Sequence, residues 1–300
     1  MTRSHHAELF APTRCAVGEA PSWDSNLGCL VIVDITQKRV HLIGEHGEQL
    51  ERFETPTHVG AALPRQGGGW LLALRDGFAT LDPNGAVQHI LGVNDAQSGI
   101  RFNEAKCDPK GYALAGTMAY SESPGQGSLY RLDSGPVAEL LLDQTTISNG
   151  LGWSADGSRM YFIDSPTRTI AAFDYDHSTG HISGRRRLVE IPKQFGMPDG
   201  LCVDDDDCVW VALFGGGAIH RYTPDGVLDA VVTLPVSQPT SCAFGGADKS
   251  QLFITSATHL LSDEDLAQQP LAGAVFVVDC GTSGPPPTLW DPHTIDRTKR

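Results

Sequence analysis

ISNGLGWSADGSRMYFID, residues 147–164, reads as two short strands around a tight turn. The first starts at a polar residue, Asn149, and carries apolar side chains at Leu151 and Trp153. Asp156-Gly157 supplies the turn, and Met160 to Ile163 forms the second strand. Apolar and polar positions alternating across two runs joined by Asp-Gly are the grammar of a hairpin. The pattern recurs from Glu19 (EAPSWD), Val59 (VGAALP), Asn103 (NEAKCD), Asp199 (DGLCVD) and Thr240 (TSCAFG). Recurrence at about 40 to 50 residues is the period of propeller blades. The repeat predicts an all-β fold: a six-bladed β-propeller with four-stranded antiparallel blades around a central channel, one domain over residues 1–300.

Each copy continues the same way, for example with third strands at Arg39 to Ile43 and Ala218 to Tyr222. In every copy the second and fourth residues after the first are apolar or Cys, so alternation places them on one face, and the first residue shares that parity. The segment Glu8-Leu9-Phe10 is expected to complete the last sheet and close the ring. A single helical turn is expected at Ser262 to Gln268, with Ser262 as cap and Asp265 at its N3 position. The stretch after about 285, with its PPP and charged end, is expected to be poorly ordered.

The 300 residues are 40% hydrophobic with a formal net charge of -14, a balance that argues against nucleic-acid and anionic-membrane partners. The one basic run, Arg185-Arg186-Arg187, is expected in a solvated outer loop. The opening MTRSHHAELF has no apolar export segment, and no run reaches the length of a membrane span. The seven cysteines are odd in number, scattered and without a C-x-x-C pair, which signals neither a disulfide framework nor a thiolate zinc site. A reducing, cytoplasmic compartment is the expectation.

A propeller gathers the first residues of its innermost strands around one end of its axis. Here that ring reads Glu19, Val59, Asn103, Asn149, Asp199 and Thr240. Two carboxylates in a narrow channel oppose each other's ionisation, and a divalent cation removes the conflict. Glu19, Asp199 and the carbonyl oxygen of Asn149 form a hard-oxygen donor set, suited to Ca²⁺, Mg²⁺ or Mn²⁺ above a His/Cys zinc site. Three protein ligands leave positions open to water or substrate. The plainer reading is that Asn149-Gly150 and Asp199-Gly200 are ordinary turn dipeptides.

Arg101, two residues before Asn103, either holds a substrate oxygen or makes an outer salt bridge. His58 and His259 fall near the same face as loop residues. No Walker, H-E-x-x-H, G-x-S-x-G or dinucleotide fingerprint is present, and Gly215-Gly216-Gly217 joins two strands as a hairpin turn. The acidic run Asp204 to Asp207 lacks EF-hand spacing and reads as a solvated turn between strands one and two of the fifth blade.

The stretches GEAPSW (18–23), RFNEAKCDPKG (101–111), AGTMA (115–119), ISNGLGWSADG (147–157), FDYDHSTGHIS (173–183), PDGLCVD (198–204), TSCAFGG (240–246) and QPLAGAVF (269–276) together resemble the senescence marker protein, gluconolactonase and regucalcin-like family of propellers. The resemblance implies that Glu19, Asn149 and Asp199 are metal ligands, that Arg101 and Asn103 contact a sugar, and that Asp199 is the catalytic base. It breaks after AGTMA. Members carry paired acidic residues there, one of which binds substrate hydroxyls, whereas this chain has Tyr120-Ser121-Glu122, leaving Ser121 and Glu122 as the substrate-binding candidates.

The expected function is metal-dependent hydrolysis of a sugar-acid lactone, such as glucono-, xylono-, arabinono- or galactonolactone, with one divalent cation (Ca²⁺, Mg²⁺, Mn²⁺, Zn²⁺ or Fe²⁺) as Lewis acid. A carboxylate on a cation is a weakened base, so Asp199 acts either as base or as the holder of an activated water. The expected partner is a small-molecule lactone, with the protein a monomer or weak homo-oligomer. The alternatives are a calcium-dependent phosphotriesterase or arylesterase and a non-enzymatic calcium-binding propeller.

Overall fold

Short β-rich runs separated by Gly, Asp and Pro turns pair mostly with their sequence neighbours, and the result is six separate sheets, antiparallel except for one N-terminal strand. The structure, a computed structural model, describes residues 2–94, 97–132 and 137–291. The innermost strands of blades one to six are Gly18–Asp24, Val59–Pro64, Ile100–Cys107, Ser148–Trp153, Met197–Val203 and Pro239–Gly245. Each pairs outward with the next strand in sequence, so the ring is built from hairpins whose register is local. The six-bladed propeller expected from the repeat is the observed fold.

Closure uses the N-terminus. Glu8–Ala11 pairs antiparallel with Val275–Asp279 and supplies the fourth strand of blade six, as expected. One feature was not legible in the sequence: Arg3–His6 continues onto blade five, lying parallel to Leu228–Thr233 as a fifth strand. The Arg3 guanidinium meets Asp229 at 2.5 Å there.

The core lies between neighbouring sheets. Blades four and five share Tyr161, Ile163, Leu201 and Val211, and blades six and one share Phe253, Trp23 and Ile32. Trp23 and Phe253 stack with ring centroids 5.5 Å apart. All seven cysteines are buried free thiols that pack as small hydrophobes. The helix Asp263–Gln268 is present with Ser262 and Asp265 forming a capping box.

Three expectations need correction. Arg185 to Arg187 lie on the outer strand His181–Glu190, not in a loop; the run is still solvated, with Arg186 on Asp174 at 2.7 Å and Arg187 on Glu190 at 2.6 Å. Asp204 does sit in the turn between strands one and two of blade five, but it is buried. It accepts from Trp210 Nε1 and Arg221 Nε, each at 2.7 Å. Finally, the segment after 285 packs against the barrel as far as the described residues run. Trp290 is buried and exchanges backbone hydrogen bonds with Pro64 and Gln66, each 2.9 Å, because an indole of that size gains more from the gap beside blade two than from water. Residues 292–300 lie outside the described residues.

Candidate metal and substrate site

Every innermost strand is interrupted at the ring position. Its register against the second strand shifts between Glu19 and Ser22, Val59 and Ala61, Phe102 and Glu104, Ser148 and Leu151, Pro198 and Leu201, and Pro239 and Cys242. In each case the inner strand carries one residue more than its partner. That is a β-bulge, which releases a residue from the ladder and re-aims its side chain. The bulge therefore breaks the parity expected from strict alternation. It is how Asn103, Asn149 and Asp199 leave the sheet faces at the channel mouth.

The bulges also decide how the glycines work. Gly150 and Gly200 are not turn residues. A Cβ on Gly150 would stand 2.8 Å from the Asp199 carbonyl oxygen, and one on Gly200 would stand 2.1 Å from Ser241 Oγ. Adjacent inner strands approach so closely that only Gly fits, which answers the plainer reading of both dipeptides. At blade one the strain falls on a residue with a side chain: Ala20 has φ +47°, and its N–H donates to Glu19 Oε2 at 2.8 Å, turning that carboxylate back over the mouth.

Glu19, Asn103, Asn149 and Asp199 are all buried. Asn149 Nδ2 donates to Ser165 Oγ at 3.1 Å, which fixes the amide, while its Oδ1 is buried without any hydrogen-bond partner. A buried orphaned carbonyl oxygen costs free energy unless something electropositive faces it. Burial pushes the Glu19 carboxyl well above the usual carboxylate range, and the charges of Asp199 and Glu104 add to the effect. Asp199 is raised in the same sense by burial and then by Glu104, with the Asn149 amide opposing. Two such carboxylates beside an unsatisfied amide oxygen fit a divalent cation by donor chemistry and by charge. Among the described residues no group of three His, Cys, Asp or Glu side chains is spaced to hold a metal; the fit needs the amide as third donor.

Arg101 and Asn103 form a unit at the same mouth. Arg101 Nη1 donates to Asn103 Oδ1 at 2.7 Å and to the Phe102 carbonyl at 3.0 Å, and Asn103 Nδ2 donates to the Ser148 carbonyl at 3.0 Å. Asn103 thus ties blade three to blade four. Burial lowers the Arg101 pKa, while the charges of Tyr120, Glu19, Asp199 and Glu122 act in the opposite sense. The guanidinium carbon lies 5.9 Å from the Tyr120 ring centroid.

The remaining ring and loop positions separate. Val59 is apolar and fully buried, and Thr240 Oγ1 donates to the Gly18 carbonyl at 2.5 Å, locking blade six to blade one. Ser121 Oγ is paired with Ser123 Oγ at 2.9 Å in an exposed turn. Glu122 occupies the left-handed region at φ +53° and reaches the site only as a charge felt by Arg101. His58 is at the rim, its Nδ1 2.7 Å from the Tyr120 hydroxyl, whereas His259 joins the fold through its backbone N–H on Ala16.

Sequence reasoning passed over three contributors. Glu104 is buried beneath the ring. Asp34 accepts from the Ala16 and Val17 N–H groups at 2.8 and 3.1 Å, and Asp164 accepts from Thr146 and Ile147 at 3.1 and 2.9 Å. These two aspartates, each ending a second strand, hold the chain entering the strands that carry Glu19 and Asn149. The signal was present: both occupy the same place in the repeat.

The SMP-30/Gluconolactonase/LRE-like region matches residues 17–258. Regucalcin of Bos taurus is 38% identical over 288 residues, covering 93% of this chain and 96% of its own, and regucalcin of Danio rerio is 40% identical over 276 residues, covering 90% and 93%. Among solved structures, a luciferin-regenerating enzyme superposes with TM-score 0.89 at 31% identity over 95% of this chain and 99% of its own. A calcium-binding protein, regucalcin, from Agrobacterium tumefaciens superposes with TM-score 0.92 at 26% identity over 97% and 99%. By the span of the match and the identity of its relatives, the chain belongs to the SMP-30/gluconolactonase/LRE-like family.

Proposed function

We propose that the chain hydrolyses a sugar-acid lactone to the open aldonic acid, using one divalent cation held by Glu19, Asn149 and Asp199. The observation that carries this reading is the partnerless buried Oδ1 of Asn149 beside two carboxylates at the channel mouth. A cation there supplies Lewis-acid polarisation of a carbonyl and a lowered pKa for water. The protein's own groups do the rest. Arg101, preset by Asn103, offers its remaining donors to lactone oxygens and fixes the ring relative to Asp199. Asp199 takes the proton of the attacking water or holds that water in line. Ser121 and Glu122 serve substrate binding only if the exposed turn closes over the mouth.

The name of the matching family, SMP-30/Gluconolactonase/LRE-like region, supports a lactone substrate. The partner in this reading is a small molecule, not nucleic acid or membrane, and the protein works in the cytoplasm as a monomer or weak homo-oligomer. The name of the calcium-binding relative supports a second reading, a propeller that binds calcium without turnover.

The test is a pH-indicator assay on chelator-stripped protein offered glucono-, xylono-, arabinono- and galactonolactone, with Ca²⁺, Mg²⁺, Mn²⁺, Zn²⁺ or Fe²⁺ restored in turn. Cation-dependent opening above the spontaneous rate is expected, falling at least about a hundredfold in Asp199→Asn. Cation binding without turnover of any lactone would favour the calcium-binding reading.

A further inference from the structure

Below the ring lies a cavity of about 280 Å³ whose lining includes Glu104, Lys106, Cys202, Ser241 and Pro285 to Thr288. Glu104 follows the bulged Asn103 on the inner strand of blade three and is 2% exposed. Its Oε1 accepts from the Ala105 N–H at 3.1 Å, and its Oε2 has no partner. Burial raises the Glu104 pKa while Lys106 and the Ala105 N–H oppose the rise, so its ionised form is favoured only where positive charge lies near. One such charge is Lys106, which lines the same cavity and donates from Nζ to the Leu201 carbonyl of blade five at 2.7 Å. The other side of Glu104 is the ring, where its charge is felt by both Glu19 and Asp199.

We propose that Glu104 is a positioning residue for the cation, attracting it from beneath by charge alone, and that Lys106 is a fixed counter-charge that limits how tightly the cation is held. Glu104 is not spaced to join Glu19 and Asp199 as a direct ligand. The formal tally is three carboxylates against two fixed cations, Arg101 and Lys106. A divalent ion reverses the sign of that balance, so each fixed charge bears directly on its affinity. The inference rests on the cation site proposed above.

The test is calorimetric titration of chelator-stripped full-length protein with Ca²⁺ and Mn²⁺, comparing wild type with Glu104→Gln and Lys106→Met. Glu104→Gln should weaken cation binding by about 10- to 100-fold, the range for residues that support ligands from outside the coordination sphere. Lys106→Met should tighten it, on the order of tenfold. The opposite signs matter, because damage to packing would weaken binding in both variants. Glu104→Gln binding within twofold of wild type, or weaker binding in both, overturns the inference while leaving the cation site standing. Wild-type protein that binds neither ion overturns both.

Discussion

Glu19 shows how a single side chain couples backbone strain to chemistry. Its carboxylate is turned by an N–H on Ala20, a non-glycine residue at φ +47°, a conformation that costs about 1–2 kcal/mol for an L-residue. Strain of that size persists at sites where the surroundings over-determine the geometry. A second, electrostatic cost depends on pH. Glu19 and Asp199 hold their protons above the ordinary 4.5 and 3.8 because burial disfavours their ionised forms, with Asp199 and Glu104 adding to the effect at Glu19 and Glu104 adding to it at Asp199. The unfolded chain releases those protons first. From about pH 4 up through the raised folded values, the native state binds more protons than the unfolded one, so metal-free stability falls as pH rises. Below pH 4 both states are protonated and the contribution disappears. Chelator-treated wild type should therefore lose melting temperature between pH 5 and pH 8 relative to the Glu19→Gln/Asp199→Asn double variant, and saturating Ca²⁺ should abolish the deficit. Parallel curves for the two metal-free proteins would show that these carboxylates are not in conflict.

At the scale of the strand, the decisive feature is the extra residue that each inner strand carries. The repeat made the strands, their order and the membership of the ring readable, because period-two alternation and turn residues are local properties. Bulges are not local: Asn149 and Gly150 read the same in a turn as in a strand, until the Asp199 carbonyl is known to lie against Gly150. That contact gives a discriminating variant. Gly150→Ala should cost about 1–3 kcal/mol of unfolding free energy through forced backbone displacement. A denaturant midpoint equal to that of wild type would argue against the close approach. Asp204 was hidden for a similar reason. Within DDDD it looks solvated, and only its pairing with Arg221, 2.6 Å away and buried on the third strand, shows otherwise. Arg221 also pairs with Asp206 of the same turn and with Asp229 on the neighbouring outer strand. Arg221→Met leaves Asp204 buried without its counter-ion and should destabilise the fold by about 3–5 kcal/mol in chemical denaturation. A loss under about 1 kcal/mol would mean that the Trp210 indole and backbone amides suffice to hold it.

For the whole molecule, the question is what keeps a ring of locally paired hairpins closed. The seam lies between blades five, six and one, and the N-terminal segment crosses it. Glu8 and Leu9 register with Val277 and Phe276 in blade six, while Arg3 to His6 register with Ala230 to Thr233 in blade five. Thr240 holds the inner edge of the same seam through the Gly18 carbonyl. The proposed cation donors straddle it as well: Asp199 stands in blade five, and Glu19 in blade one. Binding to the native ring alone stabilises it by mass action, about 2.7 kcal/mol at a hundredfold excess over Kd. Strand closure and cation binding should therefore reinforce each other. Deleting residues 2–11 removes the fourth strand of blade six and leaves Val275–Asp279 as an open edge, a template for pairing with another chain. The truncated protein should melt lower than full-length protein, bind Ca²⁺ more weakly, and run as larger species in size-exclusion chromatography. A truncated chain that stayed monodisperse and kept the full Ca²⁺-induced rise in melting temperature would place closure in the inner strands and their bulges, independent of the N-terminal segment.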